Sequence, residues 1–138
     1  PWGAQLATVN GKPLSLDDIE HRILRPIWKD PRIHYAVNCA SIGCPDLGQE
    51  ALTSANADAY LEAAAVAFVN HPRGVRITRG KLRVSSIYDW FAEDFGGKDK
   101  AVIAHLKRYA KPELKAKLEP LSRINGDDYD WSLNGVSR

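Results

Sequence analysis

Apolar and polar residues alternate on both sides of a central turn in the segment 75–84. Because successive side chains of a strand point to opposite faces, this pattern predicts an antiparallel hairpin. The apolar run 33–38 predicts a buried strand that belongs to the same sheet. Residues 1–14 predict a loop or edge strand with a turn at Asn10-Gly11, and the tail 124–138 predicts an extended segment.

Helical spacing of apolar residues marks the rest of the chain. Ser15 is typical of a helix start, with Asp18 as its capping-box partner, and Pro26 predicts the end of that helix near Arg25. Four further helices are predicted. The first covers about residues 55–70, and the second begins after Ser86, which caps it with Asp89 at the third position. The third contains Val102 to Tyr109, and the fourth is short and begins at Pro112. The fold class is therefore predicted as α+β, a single domain over residues 1–138 with a small, mostly antiparallel sheet (hairpin about 75–84 plus strand about 33–38) packed against four to five helices.

Composition narrows the classes of function. The 138 residues are 44% hydrophobic and 26% charged, which suits one soluble domain with its own core. Lysines and arginines are mixed with acids at a net charge of +2, so we expect no nucleic-acid partner. No apolar run approaches the roughly 20 residues of a membrane-spanning helix. The chain begins at Pro1 and contains no methionine, so we expect it to be a processed chain or a fragment.

Several separated motifs resemble those of the domain-of-unknown-function family 547. The central motif is the segment 34–45, His-Tyr-Ala-Val-Asn-Cys-Ala-Ser-Ile-Gly-Cys-Pro, and the others are Ile19-Glu20-His21, Arg25, Trp90, Asp94-Phe95 and the ending 129–134, Tyr-Asp-Trp-Ser-Leu-Asn. The similarity extends from about Val9 to Asn134. It implies a bacterial-type protein that is periplasmic or secreted, of a family with no settled activity. Because family members usually carry an upstream Trp-Ile-Asn-x-Tyr-Asn motif, it also implies that this chain is the C-terminal portion of the family domain, with the missing segment as one expected partner.

The central motif contains the best candidate nucleophile, Cys39. Cys39 follows a predicted strand, a position that favours functional side chains on a rigid scaffold. Consecutive backbone amides in the segment 40–43 predict an anion-binding concavity that would lower a thiol pKa or hold an oxyanion, so Ser41 and Gly43 are candidate substrate-binding residues. The alternative is that Cys39 is a small buried apolar residue.

Two histidines are candidate catalytic bases. His34 would lie ~16 Å from Cys39 on an extended strand and on its opposite face, which argues against a direct pair. His21 is the preferred base, since Asp17 one helical turn before it would fix its tautomer and Arg25 one turn after it would lower its pKa. Arg25 is also a candidate substrate-binding residue. The alternative is a surface ladder of charges, which contributes little to stability.

A carboxylate and a second cysteine complete the candidate site. Asp94 falls on the apolar side of its predicted helix, where it needs a partner, either a loop that it caps or a catalytic histidine that it orients. Cys39 and Cys44 allow a disulfide or two free thiols. A zinc site would need two more ligands, and His71 and His105 are isolated and interpreted as ordinary surface or helix-end residues. No metal and no cofactor are predicted.

Two functions of different classes follow. The first is a thiol-dependent hydrolase or acyl transferase acting outside the cytoplasm, with Cys39 as nucleophile and a histidine as base. The second is a non-catalytic binding or accessory module with structural cysteines. In that module a small-molecule or peptide ligand would contact exposed aromatic side chains, for which the candidates are Trp2, Trp28, Tyr88 and Trp131.

Overall fold

The predicted hairpin is confirmed and supplies two strands of a three-stranded sheet, one edge strand and the central strand. The computed structural model describes residues 2–135. Strands β3 (Val75–Thr78) and β4 (Lys81–Ser85) pair antiparallel, and Arg79 and Gly80 between them both have positive φ, 53° and 73°. Positive φ at both central residues matches the right-handed twist of the flanking strands.

The prediction of a strand at 33–38 is wrong. The chain forms a 3₁₀ helix over Pro31–Tyr35, because Asp30 caps it by accepting a hydrogen bond from the Arg32 amide at 2.9 Å and Pro31 supplies the φ of a first helical residue. Residues 33–35 are all buried, and an apolar run alone does not separate a buried strand from a buried turn. The third strand of the sheet is β5 (Gly126–Asp128), which pairs parallel to β4.

The N-terminal segment forms a second hairpin and a wide helix. Strands β1 (Gln5–Val9) and β2 (Lys12–Ser15) pair antiparallel around the predicted Asn10-Gly11 turn. A π-helix then spans Asp18–Trp28. Its predicted capping box is confirmed: the Asp18 amide donates to Ser15 Oγ at 3.0 Å and the Ser15 amide donates to Asp18 Oδ2 at 3.0 Å.

The predicted end of this helix near Arg25 is wrong. The helix continues through Pro26 to Trp28 and ends at Lys29, whose φ is 51°. In a narrow α-helix the ring of Pro26 would clash with the carbonyl four residues earlier. The wider π-type turn separates these groups and leaves room for the ring.

The other helices agree with the sequence pattern in position, with shifted ends. They are α1 (Ala57–Val69), α2 (Ile87–Trp90), a 3₁₀ helix over Ala92–Phe95, α3 (Asp99–Tyr109) and α4 (Pro112–Leu118). The predicted capping by Ser86 is wrong, because its hydroxyl donates to Asp127 Oδ2 at 2.5 Å in the neighbouring tail. The tail is extended as predicted over its described part, while residues 136–138 of that prediction lie outside the described residues.

One hydrophobic core lies between the three-stranded sheet and the helices α1 and α3. Its largest fully buried side chains include Tyr35, Phe68, Leu82, Tyr88 and Leu106. The α+β fold class is therefore confirmed. Within residues 2–135, no helix is long and apolar enough to cross a membrane.

A polar network crosses this core. Tyr35 Oη lies 2.7 Å from His105 Nε2 and 3.1 Å from Tyr88 Oη. The interpretation of His105 as an ordinary surface or helix-end residue is thus wrong, since it lies within α3 and bonds to Tyr35. Burial lowers the pKa of His105 to about 4, so its imidazole is neutral at physiological pH.

Candidate functional site

The loop that carries the cysteines is closed into a ring by Asn38. The Asn38 side-chain carbonyl accepts a hydrogen bond from the Ala40 amide at 2.7 Å, and its amide group donates to the Pro45 carbonyl at 2.8 Å. Ala40 has a φ of 60°, a left-handed conformation that residues other than glycine rarely adopt. Asn38 and this turn fold the loop back on itself and bring Cys39 towards Cys44.

Two thiols and two hydroxyls meet inside this ring. Cys39 Sγ lies 2.8 Å from Cys44 Sγ and 3.2 Å from both Ser41 Oγ and Tyr129 Oη. Cys44 Sγ accepts a hydrogen bond from the Cys39 amide at 3.0 Å and lies 3.1 Å from Tyr129 Oη. We call these four side chains, Cys39, Ser41, Cys44 and Tyr129, the thiol cluster.

Hydrogen bonds in the thiol cluster favour a thiolate. Burial raises the pKa of the Cys44 thiol, but hydrogen bonds from Cys39, Ser41 and Tyr129 outweigh burial and hold this pKa at about 7. Burial and the two neighbouring thiols raise the pKa of Tyr129 well above its usual value, so its hydroxyl keeps its proton and remains a donor. At neutral pH the cluster therefore carries a substantial fraction of thiolate.

The C-terminal tail holds the cysteine loop in place and occupies its amides. The Ile42 amide donates to the Ser132 carbonyl at 2.8 Å, and the Gly43 amide donates to the Asp130 carbonyl at 2.8 Å. The Ala40 amide is taken by Asn38. The prediction of an anion-binding concavity over residues 40–43 is therefore wrong for these three amides.

Ser41 and Gly43 hold the thiol cluster together. The side chain of Ser41 is enclosed in the cluster and 2% exposed. A Cβ atom on Gly43 would lie 2.9 Å from the ring of Tyr129, closer than real Cβ contacts come. The glycine allows the tyrosine to lie flat on the loop and to reach both sulfurs.

A second polar group lies beside the thiol cluster and is centred on Asp94. His34 Nε2 lies 2.8 Å from Asp94 Oδ2, and the Arg25 guanidinium donates to both carboxylate oxygens at 2.6 Å and 3.2 Å. His34 is 3% exposed and stacks on Phe91 with ring centroids 4.2 Å apart. Of the two partners that the sequence allowed for Asp94, the structure shows a histidine.

Burial sets the protonation state of His34, and the charge of Asp94 sets its tautomer. Hydrogen bonds from Arg25 hold the pKa of Asp94 below its usual range, so this carboxylate is ionised and only accepts hydrogen bonds. Burial lowers the pKa of His34, although Asp94 acts in the opposite direction. A neutral His34 then carries its proton on Nε2 and keeps the lone pair of Nδ1, as a general base requires.

The preference for His21 over His34 as the base stays a prediction, since both histidines line the same cleft as Cys39. His21 Nδ1 accepts a hydrogen bond from Arg25 at 3.1 Å, and no hydrogen bond with Asp17 forms in the described chain, so the expected Asp17–His21 pair is absent there. Arg25 itself is bound to Asp94, which makes it a support for this group rather than a free ligand for substrate. The objection to His34 rested on a strand that does not exist.

Three members of the thiol cluster, Cys39, Cys44 and Tyr129, share one cleft of about 420 Å³ with His34. Its lining is mostly apolar, and Trp2, Leu16, Trp90 and Trp131 on this lining are each more than 40% exposed. Trp90 and Trp131 stack with ring centroids 5.4 Å apart. The cleft is therefore suited to a ligand with apolar or aromatic groups.

Three of the four aromatic residues predicted to contact a ligand are exposed, and the fourth is buried. Trp2 and Trp131 line the cleft, and Trp28 is 63% exposed elsewhere on the surface. Tyr88 is buried in the core, so its assignment as a contact residue is wrong. Within residues 2–135, no three side chains of His, Cys, Asp or Glu are grouped so that they could hold a metal ion.

Sequence reasoning missed two residues that build the site. Tyr129 was assigned only to an extended tail, and Asn38 to a strand. The one signal in the sequence for a role of these two residues was their position inside the motifs 34–45 and 129–134. Neither motif by itself indicates that the two segments are in contact.

Comparison with known proteins gives a family and no activity. The sequence model of the family described as "Protein of unknown function, DUF547" matches residues 2–69. This part contains both cysteines and His34, whereas Asp94 and Tyr129 lie outside it, and the extension of the similarity to Asn134 stays a prediction. Searches of curated proteins and of solved structures found no significant match. Residues 2–69 of the chain, about half of it, are thus similar to the DUF547 family of proteins of unknown function.

Proposed function

We propose that the protein is a thiol-dependent hydrolase or acyl transferase with Cys39 as its nucleophile. One observation carries this proposal: the partly exposed thiol of Cys39 contacts a second thiol and two hydroxyls in a cleft that the neutral, Asp94-bound His34 also lines. Acyl transfer by this route requires a nucleophile, a group that takes the proton of the nucleophile, and a separate base.

The thiol pair supplies the nucleophile without the help of a histidine. In a pair that holds one proton, the proton moves from Cys39 to Cys44 across 2.8 Å and leaves Cys39 as the thiolate. Cys39 Sγ then attacks the acyl carbon, and the hydroxyls of Tyr129 and Ser41 are the donors nearest to the developing oxyanion. Collapse of the tetrahedral intermediate breaks the bond to the leaving group and gives a Cys39 thioester.

His34 serves the second half of the reaction. No hydrogen bond joins His34 to Cys39 within the described residues, so His34 is placed to activate the water or acceptor that attacks the thioester. Its Nδ1 takes a proton from that acceptor, and Cys39 departs as a thiolate. Asp94 and Arg25 act on this step by fixing the tautomer of His34 and are positioning residues.

The test uses p-nitrophenyl esters of short and medium acyl chains, with release of p-nitrophenol as the rate and intact mass as the readout of the acyl-enzyme. We expect Cys39→Ala to lose both the acyl adduct and turnover. We expect His34→Gln to form the adduct but to turn over ~10²-fold more slowly, the typical contribution of a general base. His71→Gln is the matched control, since His71 is an exposed histidine outside the cleft. Unchanged turnover in Cys39→Ala would overturn the proposal.

The exposed tryptophans favour a second candidate, a binding module for a peptide or small molecule with apolar groups. Trp2, Trp90 and Trp131 present large apolar faces at the cleft, and such side chains are enriched where proteins bind partners. This module would quench tryptophan fluorescence on titration with an apolar peptide and would bind equally well as Cys39→Ala. Ester turnover that depends on Cys39 would decide against it.

We propose a periplasmic or secreted location on the basis of the motif resemblance alone. Fractionation of the host cell, with detection of the native protein in each fraction, tests this location. Recovery of the protein in the cytoplasmic fraction alone would refute it.

A further inference from the structure

The sulfur atoms of Cys39 and Cys44 are already close to bonding distance. Their separation of 2.8 Å is only about 0.8 Å more than the ~2.0 Å of a disulfide bond. Asn38 clamps both ends of the loop, and the tail holds its middle. Little rearrangement is therefore needed to join the two sulfurs.

The two thiols differ in access, as a pair with separate attacking and resolving roles requires. Cys39 is partly exposed and lines the cleft, so an external molecule can reach its sulfur. Cys44 is 3% exposed and lies behind it in the thiol cluster. Hydrogen bonds that hold the pKa of Cys44 at about 7 keep one thiolate in the pair near neutral pH, and a thiolate is the species that attacks disulfides.

We propose that the Cys39–Cys44 pair carries out thiol–disulfide exchange with an external disulfide that enters the cleft. Cys39 attacks one sulfur of the external disulfide, which forms a mixed disulfide and expels one thiolate. Cys44 then loses its proton and attacks Cys39 Sγ, which forms the Cys39–Cys44 disulfide and expels the second sulfur. From a pair that holds one proton, the products are the internal disulfide, one thiol and one thiolate, so the protein is oxidised by two electrons and the external disulfide is reduced by two.

This activity goes beyond acyl transfer and does not depend on it. It uses both sulfurs, whereas the acyl reaction uses Cys39 as nucleophile and Cys44 as proton acceptor. The two activities are linked in one direction, because the oxidised protein has no free nucleophile. Acyl transfer would then occur only in the reduced protein.

The test mixes the fully reduced chain with oxidised glutathione at neutral pH, quenches samples with acid and measures intact mass. We expect a transient glutathione adduct at Cys39, followed by a product that has lost two hydrogens and that dithiothreitol restores. Cys44→Ser should stop at the Cys39 adduct. Cys39→Ser should react at least about tenfold more slowly than Cys44→Ser, since the remaining sulfur is enclosed.

Two results would overturn the inference. One is a wild-type protein that accumulates stable glutathione adducts without the internal disulfide. The other is equal reaction rates in Cys39→Ser and Cys44→Ser, provided that both variants unfold cooperatively like the wild type. Because no acyl substrate is used, failure of the ester assay would leave a positive result here intact.

Discussion

The hydroxyl of Tyr129 offers the sharpest test of how the thiol cluster is built. This hydroxyl lies 2.7 Å from Ser41 Oγ, 3.1 Å from Cys44 Sγ and 3.2 Å from Cys39 Sγ. Tyr129→Phe removes only this oxygen. The ring keeps its packing against Trp90, with centroids 4.9 Å apart, so the loop and tail should stay together.

The expected effect is a higher thiol pKa. A hydrogen bond to a charged group contributes ~1.5–3 kcal/mol, and 1.36 kcal/mol corresponds to about one pKa unit. We take the lower end, since Tyr129 is only partly buried and other donors remain on the sulfurs. Loss of the donor destabilises the thiolate relative to the thiol. The pKa of Cys44 should therefore rise from about 7 to about 8.

The assay is the rate of iodoacetamide alkylation against pH on freshly reduced protein, with peptide mass mapping of both cysteines. Tyr60→Phe is the matched control, because the Tyr60 hydroxyl donates to the Asp46 carbonyl and does not contact the thiols. We expect the profile of Tyr129→Phe to move to higher pH and that of Tyr60→Phe to match the wild type. An unchanged profile in Tyr129→Phe would show that its hydroxyl does not stabilise the thiolate.

Three further predictions concern stability. His105 is neutral in the fold with a pKa of about 4, so its contribution to stability is fully present above pH 6.5 and is lost as pH falls towards 4. Over this pH range the free energy of urea unfolding of His105→Gln should fall by about 3 kcal/mol less than that of the wild type, and His71→Gln should behave like the wild type. Parallel losses in all three proteins would refute the assignment. Gly43→Ala should lower the free energy of unfolding by ~1–3 kcal/mol, because its Cβ would meet the Tyr129 ring at 2.9 Å, and an unchanged urea midpoint would contradict this contact. Leu82→Ala should cost ~2–5 kcal/mol by leaving a cavity at a fully buried core position, and a loss below 1 kcal/mol would place Leu82 outside the core.

Local signals in the sequence were sufficient for the elements whose geometry is local. The Arg79-Gly80 turn and the Ser15–Asp18 capping box involve residues at most three apart, so the residues themselves favour the observed backbone. Cys39 was recognisable as a candidate because it lies in a sequence motif. Asp94 was recognisable because it is an acidic residue on the apolar face of a predicted helix. Position along the chain was thus enough to nominate these residues, without indicating their partners.

Tertiary structure decided the conformation at 33–38 and the assembly of the site. An apolar run suits a buried strand and a buried turn equally, and the Asp30 cap selects the turn. Asp94 is 60 residues from His34, and Tyr129 is 90 residues from Cys39. No periodicity or spacing encodes contacts at such separations, because they form only when packing of the shared core brings the segments together. The sequence by itself determined the local turns and the apolar helix faces and singled out the cysteine loop. The tertiary fold determined which histidine, which hydroxyls and which second sulfur lie near that loop.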